Sequence, residues 1–258
     1  MIVFTHIPKT AGTSLKFILR CNFGIHHVDS RNTKRKVFTD KDLSFAKKVF
    51  PGVQAITGHN LTDPPRYIHE PGVQLITMLR QPVVRCASHY QDLVLRRNLE
   101  ESFETWIRNP PNQNRICKTL TGSDDVDRAK ILLKEYYQVV GITEHFQDSL
   151  KLLQLHMEKP LALYNKKRVA ASSNEIKDSL LGDETSLSLL KKYNHLDQQI
   201  YDFALEEIFL PAVGKYREAM NKIEISHEKC SRKHSIRRSQ SIRYNKYLYR
   251  PLVRFLKA

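Results

Sequence analysis

Between positions 9 and 14 the chain sets one lysine, one glycine and three hydroxyls: Lys9, Thr10, Gly12, Thr13 and Ser14. Ahead of them runs the apolar stretch Ile2 to Ile7, ended by Pro8; behind them Leu15, Ile18 and Leu19 recur at helical spacing. A β-branched and aromatic run stopped by proline reads as a buried strand, and the spacing that follows reads as a helix start. A loop so placed can hold a phosphate-type anion. Glycine permits close backbone approach, the first-turn N–H groups of a helix have no partner within it, and the helix dipole favours negative charge there. The nucleoside triphosphate loop GxxxxGK[ST] carries its lysine after the second glycine, whereas Lys9 precedes the only glycine of this loop, which argues against a nucleotide kinase. An ordinary strand-to-helix turn capped by Thr13 or Ser14 is the competing reading of the loop taken alone.

A second cluster bears on that choice. The apolar run Gln74 to Leu79 leads directly into Arg80-Gln-Pro-Val-Val-Arg85-Cys-Ala-Ser88-His-Tyr90, an RxPxxRxxSxY pattern. Proline suits the first turn of a helix, so Arg80 stands at the strand end and Ser88 two turns into the helix. An arginine fork matches a phosphate and a serine hydroxyl adds a further hydrogen bond, which makes Arg80 and Ser88 the candidate ligands. Arg85 reads instead as an arginine salt-bridged within a helix. A third candidate is His59, which follows the strand-like Val53 to Thr57 and can accept a proton near neutral pH. Histidine is structural in most places, and position alone singles this one out. His6, within the first strand, reads as core or loop support, His89 can face either way, and Glu144 reads as a helix cap.

Together HIPKTAGTS and RQPVVRCASHY resemble the two signatures of sulfotransferases that use 3′-phosphoadenosine 5′-phosphosulfate (PAPS). The resemblance is nearest to the carbohydrate sulfotransferases that include heparan sulfate 2-O-sulfotransferase. It extends to VVGITEHFQDSLKLL, Val139 to Leu153, and to HLDQQIYDFALEEIF, His195 to Phe209, so that four segments match in order from Met1 to about Phe209. It implies a P-loop-like three-layer fold and a metal-independent transfer of a sulfuryl group from PAPS to a hydroxyl of a carbohydrate acceptor. The first loop would hold the 5′-phosphosulfate through Lys9, Thr10, Gly12, Thr13 and Ser14, and Arg80 with Ser88 would hold the 3′-phosphate. Lys9 would also act in catalysis, putting positive charge on the bridging oxygen as the S–O bond breaks, a role worth about 3 kcal/mol. Gly58-His59 is similar to the family's catalytic segment, which makes His59 the base; the family's second histidine, two residues earlier, is Thr57 here. The loop Asn165 to Ser173, with Lys166, Lys167 and Arg168, lies where the family places a late cofactor-contacting segment.

These residues need a scaffold, and 258 residues without an internal repeat suffice for one full core. Strand candidates at 2–7, 53–57, 74–79 and 138–142 alternate with helical patterns at 13–21, 40–50, 82–98, 126–137 and 144–157. That alternation implies an α/β fold with a central, mostly parallel sheet covered on both faces. Ligands in such sheets bind beyond the carboxyl ends of the strands, where Lys9 and Arg80 both fall.

Charge is distributed unevenly. Residues 222–258 carry eleven Lys/Arg and two Glu, net +9 of the formal +15, and read as a basic C-terminal extension of a sulfotransferase domain spanning 1–221. Tyr244, Tyr247, Tyr249 and Phe255 interleave with the cations, which suits an anionic membrane surface or a polyanionic acceptor. A non-catalytic basic module binding nucleic acid or polyanions is the alternative function; the sulfotransferase reading expects no nucleic-acid partner. No segment approaches about 18 consecutive apolar residues, and the start lacks a signal peptide's basic flank and cleavage site, unlike the anchored Golgi members of the family. A cytoplasmic enzyme, peripheral at most to a membrane, is expected. Cys21, Cys86, Cys117 and Cys230 follow no disulfide or metal pattern and suit a reducing compartment, and a zinc site from Cys21, His26 and His27 has no standard spacing. Asn60-Leu61-Thr62 is a glycosylation sequon expected to stay unmodified, since a glycan there would crowd His59.

Overall fold

The computed structural model describes residues 1–30, 37–50, 52–62, 72–157, 160–164, 174–226 and 230–256. Its elements run β1 (Ile2–Thr5), α1 (Gly12–Phe23), β2 (His27–Asp29), α2 (Asp40–Val49), β3 (Ala55–Gly58), β4 (Gln74–Leu79), α3 (Pro82–Arg97), α4 (Phe103–Arg108), α5 (Arg115–Thr121) and α6 (Val126–Glu135). They continue with β5 (Tyr137–Ile142), α7 (Phe146–Leu155), α8 (Glu175–Gly182), α9 (Glu184–Tyr193), α10 (His195–Phe203), α11 (Leu210–Lys215), α12 (Arg217–Asn221), α13 (Arg232–Tyr244) and α14 (Arg250–Leu256). The five strands form one sheet in the order β2-β3-β1-β4-β5, every pair parallel, with helices flanking it in three layers. Parallel strands buried on both faces need near-continuous apolar runs, and Ile2, Val3, Phe4, Ile56, Leu75 and Ile76 meet that need, each at most 3% exposed.

Register places the chemistry. Thr5 pairs with Gly58 on one side and with Thr77 on the other, so β1, β3 and β4 end close together. The chain leaves β1 through α1 toward the β2 edge and leaves β4 through α3 toward the β5 edge. Adjacent strands whose crossovers diverge in this way open a crevice at their carboxyl ends. A second apolar cluster, built from Val83, Cys86, Tyr90, Phe103, Trp106 and Leu190, seats α3 against α4 and α9 and so fixes the helix that follows Arg80.

Strand β2 is absent from the sequence expectation because its three residues, His27, Val28 and Asp29, show neither alternation nor an apolar run. It is an edge strand, and the C-terminal segment covers it. Asn245 accepts from Asp29 N at 2.8 Å and donates to the His27 carbonyl at 2.7 Å, so one side-chain amide fills the place of a neighbouring strand. Tyr249 and Val253, at 0% and 1% exposed, belong to the main core, and α13 packs along α1. The segment read from its charge as an extension thus packs into the body of the fold through Asn245, Tyr249, Val253 and α13. Among the described residues no helix is long and apolar enough to cross a membrane.

Candidate functional site

The loop after β1 closes on its own backbone. Lys9 and Ala11, not the glycine, adopt left-handed φ angles of 69° and 57°. Thr10 is fully buried and its hydroxyl donates to Ile7 O at 2.9 Å, which folds the loop. Ala11 is the N-cap of α1 and gives no side-chain cap, and no acid occupies the first turn. Ser14 N donates to Ala11 O at 2.9 Å, and with neither a side-chain cap nor an acid in the first turn this helix end keeps the positive pole of its dipole, which favours an anion. Thr13 is exposed and Ser14 half-buried at the same helix end. Gly12 also makes room for a neighbouring side chain. A Cβ there would stand 2.0 Å from Cδ2 of His6, so the missing side chain admits the His6 ring.

Arg80 ties the second motif to the first: its Nη1 donates to Lys9 O at 3.2 Å. Burial is the main cause that lowers its ordinarily very high pKa, with Arg85 adding to it and Glu144 opposing. Beyond it α3 carries Arg85, Ser88, His89 and Asp92 at helical spacing on one side. Asp92 accepts from Lys9 Nζ at 3.0 Å and also pairs with Arg96 at 3.4 Å. Burial pushes the Asp92 carboxyl up, but the Lys9 hydrogen bond and the charges of Lys9 and Arg96 outweigh it and hold the group below its usual range. Lys9 is thus held by a carboxylate on the helix of the other motif.

Arg85 is fully buried, 3.9 Å from Asp197 and 3.4 Å from Asn194 Oδ1; it is ion-paired as expected, but with a carboxylate of α10 and not within its own helix. Asp197 in turn accepts from the backbone N–H groups of Ile116 and Cys117 at 2.9 and 2.8 Å, which orients the start of α5. That start bears Arg115. Arg85 Nε and Nη1 and Arg115 Nε are buried without a hydrogen-bond partner among the described residues. His89 sits among these cations; burial first, then Arg85, Arg115 and Lys9, drive its pKa down to about 3, so it is neutral at working pH. Glu144 caps α3 and not the helix after it, accepting from Gln81 N at 3.1 Å, and its other oxygen accepts from Tyr201 at 3.2 Å.

On the β3 side, His59 donates from Nδ1 to His6 O at 2.5 Å. A carbonyl only accepts, so the proton is on Nδ1, and in the neutral ring Nε2 is then the unprotonated nitrogen. The His6 ring lies 4.1 Å from that of His59 and 5.3 Å from Phe4, so it is a wall of the site as well as a core residue. Thr57 shares a hydrogen bond of 3.0 Å with Nε2 of His27 on β2. Gly58 leaves room for Ser30, whose Oγ would lie 1.7 Å from a Cβ there. Ser30 bonds the side chain of Asn60, which is 7% exposed, so the sequon asparagine is engaged inside the fold.

The structure accordingly brings Lys9, Thr10, Gly12, Thr13, Ser14, Arg80 and His59 to the carboxyl ends of three adjacent strands, with Ser88 on the helix that leads away. Asp92 and Arg115 were not singled out by sequence. Asp92 could have been, since it follows Ser88 by one helical turn; Arg115 is distant in sequence and reaches the site only through the buried Arg85–Asp197 pair. The loop 165–173, proposed for late cofactor contacts, lies outside the described residues. A cavity of about 350 Å³ adjoins the anion loop, lined by Thr13, Ser14 and Phe17 of α1 and by Arg238 and Ile242 of α13. No protein-family model matches this chain, and no curated protein matches it either, so the reading of the site rests on its own residues.

Proposed function

We propose that the protein is a PAPS-dependent sulfotransferase that moves a sulfuryl group to a hydroxyl of a carbohydrate acceptor. The observation that carries this reading is the bond between the two anion motifs, Arg80 Nη1 to Lys9 O at 3.2 Å, at the mouth of a parallel sheet. One ligand with two separated anionic groups would engage both. The loop and first turn of α1 would hold the 5′-phosphosulfate, and Arg80 and Ser88 the 3′-phosphate. PAPS, when bound, supplies the activated sulfuryl group. The chain's part is to hold it, to direct the charge of Lys9 at the bridging oxygen, and to take the acceptor's proton at His59 Nε2. Asp92 pairs with Lys9, so binding of the donor would trade one anionic partner for another.

The same proposal takes the enzyme as cytoplasmic and peripheral at an anionic membrane surface. Its support is the basic C-terminal segment, where Ile236, Tyr247, Leu248 and Phe255 stand exposed among arginines and lysines. Transfer of labelled sulfate from PAPS to a panel of neutral and acidic glycans tests the reading. Label in a saccharide supports it, whereas tight binding of polyanions with no transfer would favour the non-catalytic module.

A further inference from the structure

We propose that Cys21 and Cys230 form an oxidisable dithiol, closing to a disulfide when the protein meets hydrogen peroxide or a small-molecule disulfide. Their sulfurs lie 3.4 Å apart although the residues are separated by 209 positions. A disulfide requires roughly 2.0 Å, so the sulfurs must approach by about 1.4 Å. The two sites divide the work. Cys21 is buried on the rigid helix α1, while Cys230 is half-buried, lies outside any helix or strand, and immediately precedes Ser231, the N-cap of α13. Cys230 can therefore both meet the oxidant and swing toward its partner.

The other two thiols are placed differently. Cys86 lies in the cluster under α3 and Cys117 in the main core. Burial raises the pKa of Cys86, and burial with nearby Asp197 pushes Cys117 up to about 12, which keeps both as unreactive thiols.

With peroxide the steps balance as follows. The Cys230 thiolate attacks one peroxide oxygen, the O–O bond breaks, and the leaving hydroxide takes a proton to become water. The Cys21 sulfur then attacks the sulfenic sulfur, the S–S bond forms, the S–O bond breaks, and hydroxide leaves with the Cys21 proton as a second water. Two thiols lose two electrons and the peroxide gains them. With a small disulfide, exchange releases two thiols instead. The new bond would tie α1, whose first turn follows the anion loop, to the start of α13, fixing both walls of the 350 Å³ cavity.

The test oxidises the full chain with hydrogen peroxide or glutathione disulfide, alkylates the remaining thiols, and maps peptides without reduction. Expected are a mass loss of about 2 Da, a linked Cys21–Cys230 peptide pair, and a Tm rise of roughly 5–15 °C that dithiothreitol reverses. Cys230→Ser, a change at a half-buried position outside the helices, should abolish all three. The proposal is overturned if no linked peptide appears, if Cys230 ends as a sulfinic acid or stable mixed disulfide, or if Cys230→Ser keeps the oxidation-dependent rise in Tm.

Discussion

His59 donates from Nδ1 to the carbonyl oxygen of His6 while the two rings lie 4.1 Å apart, so the residue that follows β1 sets both the tautomer and the orientation of the candidate base that follows β3. Gly12 is the third member of this arrangement, because a Cβ there would strike the His6 ring at 2.0 Å. His59→Ala should leave PAPS binding nearly intact and cut turnover by about 10²- to 10⁴-fold. Gly12→Ala should act on the same step from a distance, displacing a ring held between Phe4 and His59 at a cost of about 1–3 kcal/mol in stability. Titration calorimetry beside initial-rate kinetics checks both, and near-normal turnover in His59→Ala would exclude it as the base.

The bond from Arg80 to Lys9 O predicts a different pattern for the cations. Adenosine 3′,5′-bisphosphate should bind more than about tenfold tighter than its analogue without the 3′-phosphate, since charge-assisted hydrogen bonds worth about 1.5–3 kcal/mol are lost. In Arg80→Ala that difference should largely vanish, while Lys9→Ala should weaken binding and slow turnover together. Equal affinity of the wild type for both ligands would remove Arg80 and Ser88 from the site.

What sequence could show here was set by how local each signal is. β1, β4 and β5 are apolar runs that need no partner to be recognised, and the loops after β1 and β4 carry their own glycine, proline and cations. The role of Gly12 was not legible, because it depends on where the ring of His6 falls once β1 pairs with β3. Nor was Arg115, whose approach to Arg85 is set by Asp197, some eighty residues away in sequence. The C-terminal segment looked separable because composition reports charge and not packing. Its buried residues, Ser241, Asn245, Tyr249 and Val253, recur every four positions, a helical face too sparse to stand out against the basic residues around it.

Two imidazoles, His27 buried and His89 half-buried, make stability depend on pH in a defined direction. Burial first, then Lys16 and Arg20, hold His27 well below its usual range, and His89 is held at about 3. Both stay neutral in the fold, whereas in the unfolded chain they take up protons below about pH 6.5. The unfolded state therefore binds more protons in acid, and the stability present above 6.5 is lost as pH falls from there toward the folded values. Each imidazole should contribute a slope approaching about 1.4 kcal/mol per pH unit. Asp197, raised chiefly by burial, works in the opposite sense. Urea unfolding at pH 7.5 and 5.5 should show the lower stability at 5.5, and His89→Gln should reduce the difference; an unchanged slope in that variant would place the proton uptake elsewhere.

The amide of Asn245 pairs with both His27 O and Asp29 N, so one side chain of the basic segment substitutes for a strand at the β2 edge. Asn245→Ala leaves a buried donor and a buried acceptor on that edge without partners, each costing about 1–3 kcal/mol. Tyr249→Ala empties a fully buried aromatic site and should cost about 3–5 kcal/mol. Removing residues 222–258 takes away both, together with the α13 wall beside α1, and that loss is comparable to the whole stability of a domain, about 5–15 kcal/mol. The truncated chain should therefore fail to fold cooperatively instead of remaining an active enzyme that has lost only its membrane affinity. Circular dichroism melts of the truncated and full-length proteins decide this: a sharp transition in the truncated chain near the full-length Tm would show that the β2 edge closes without Asn245.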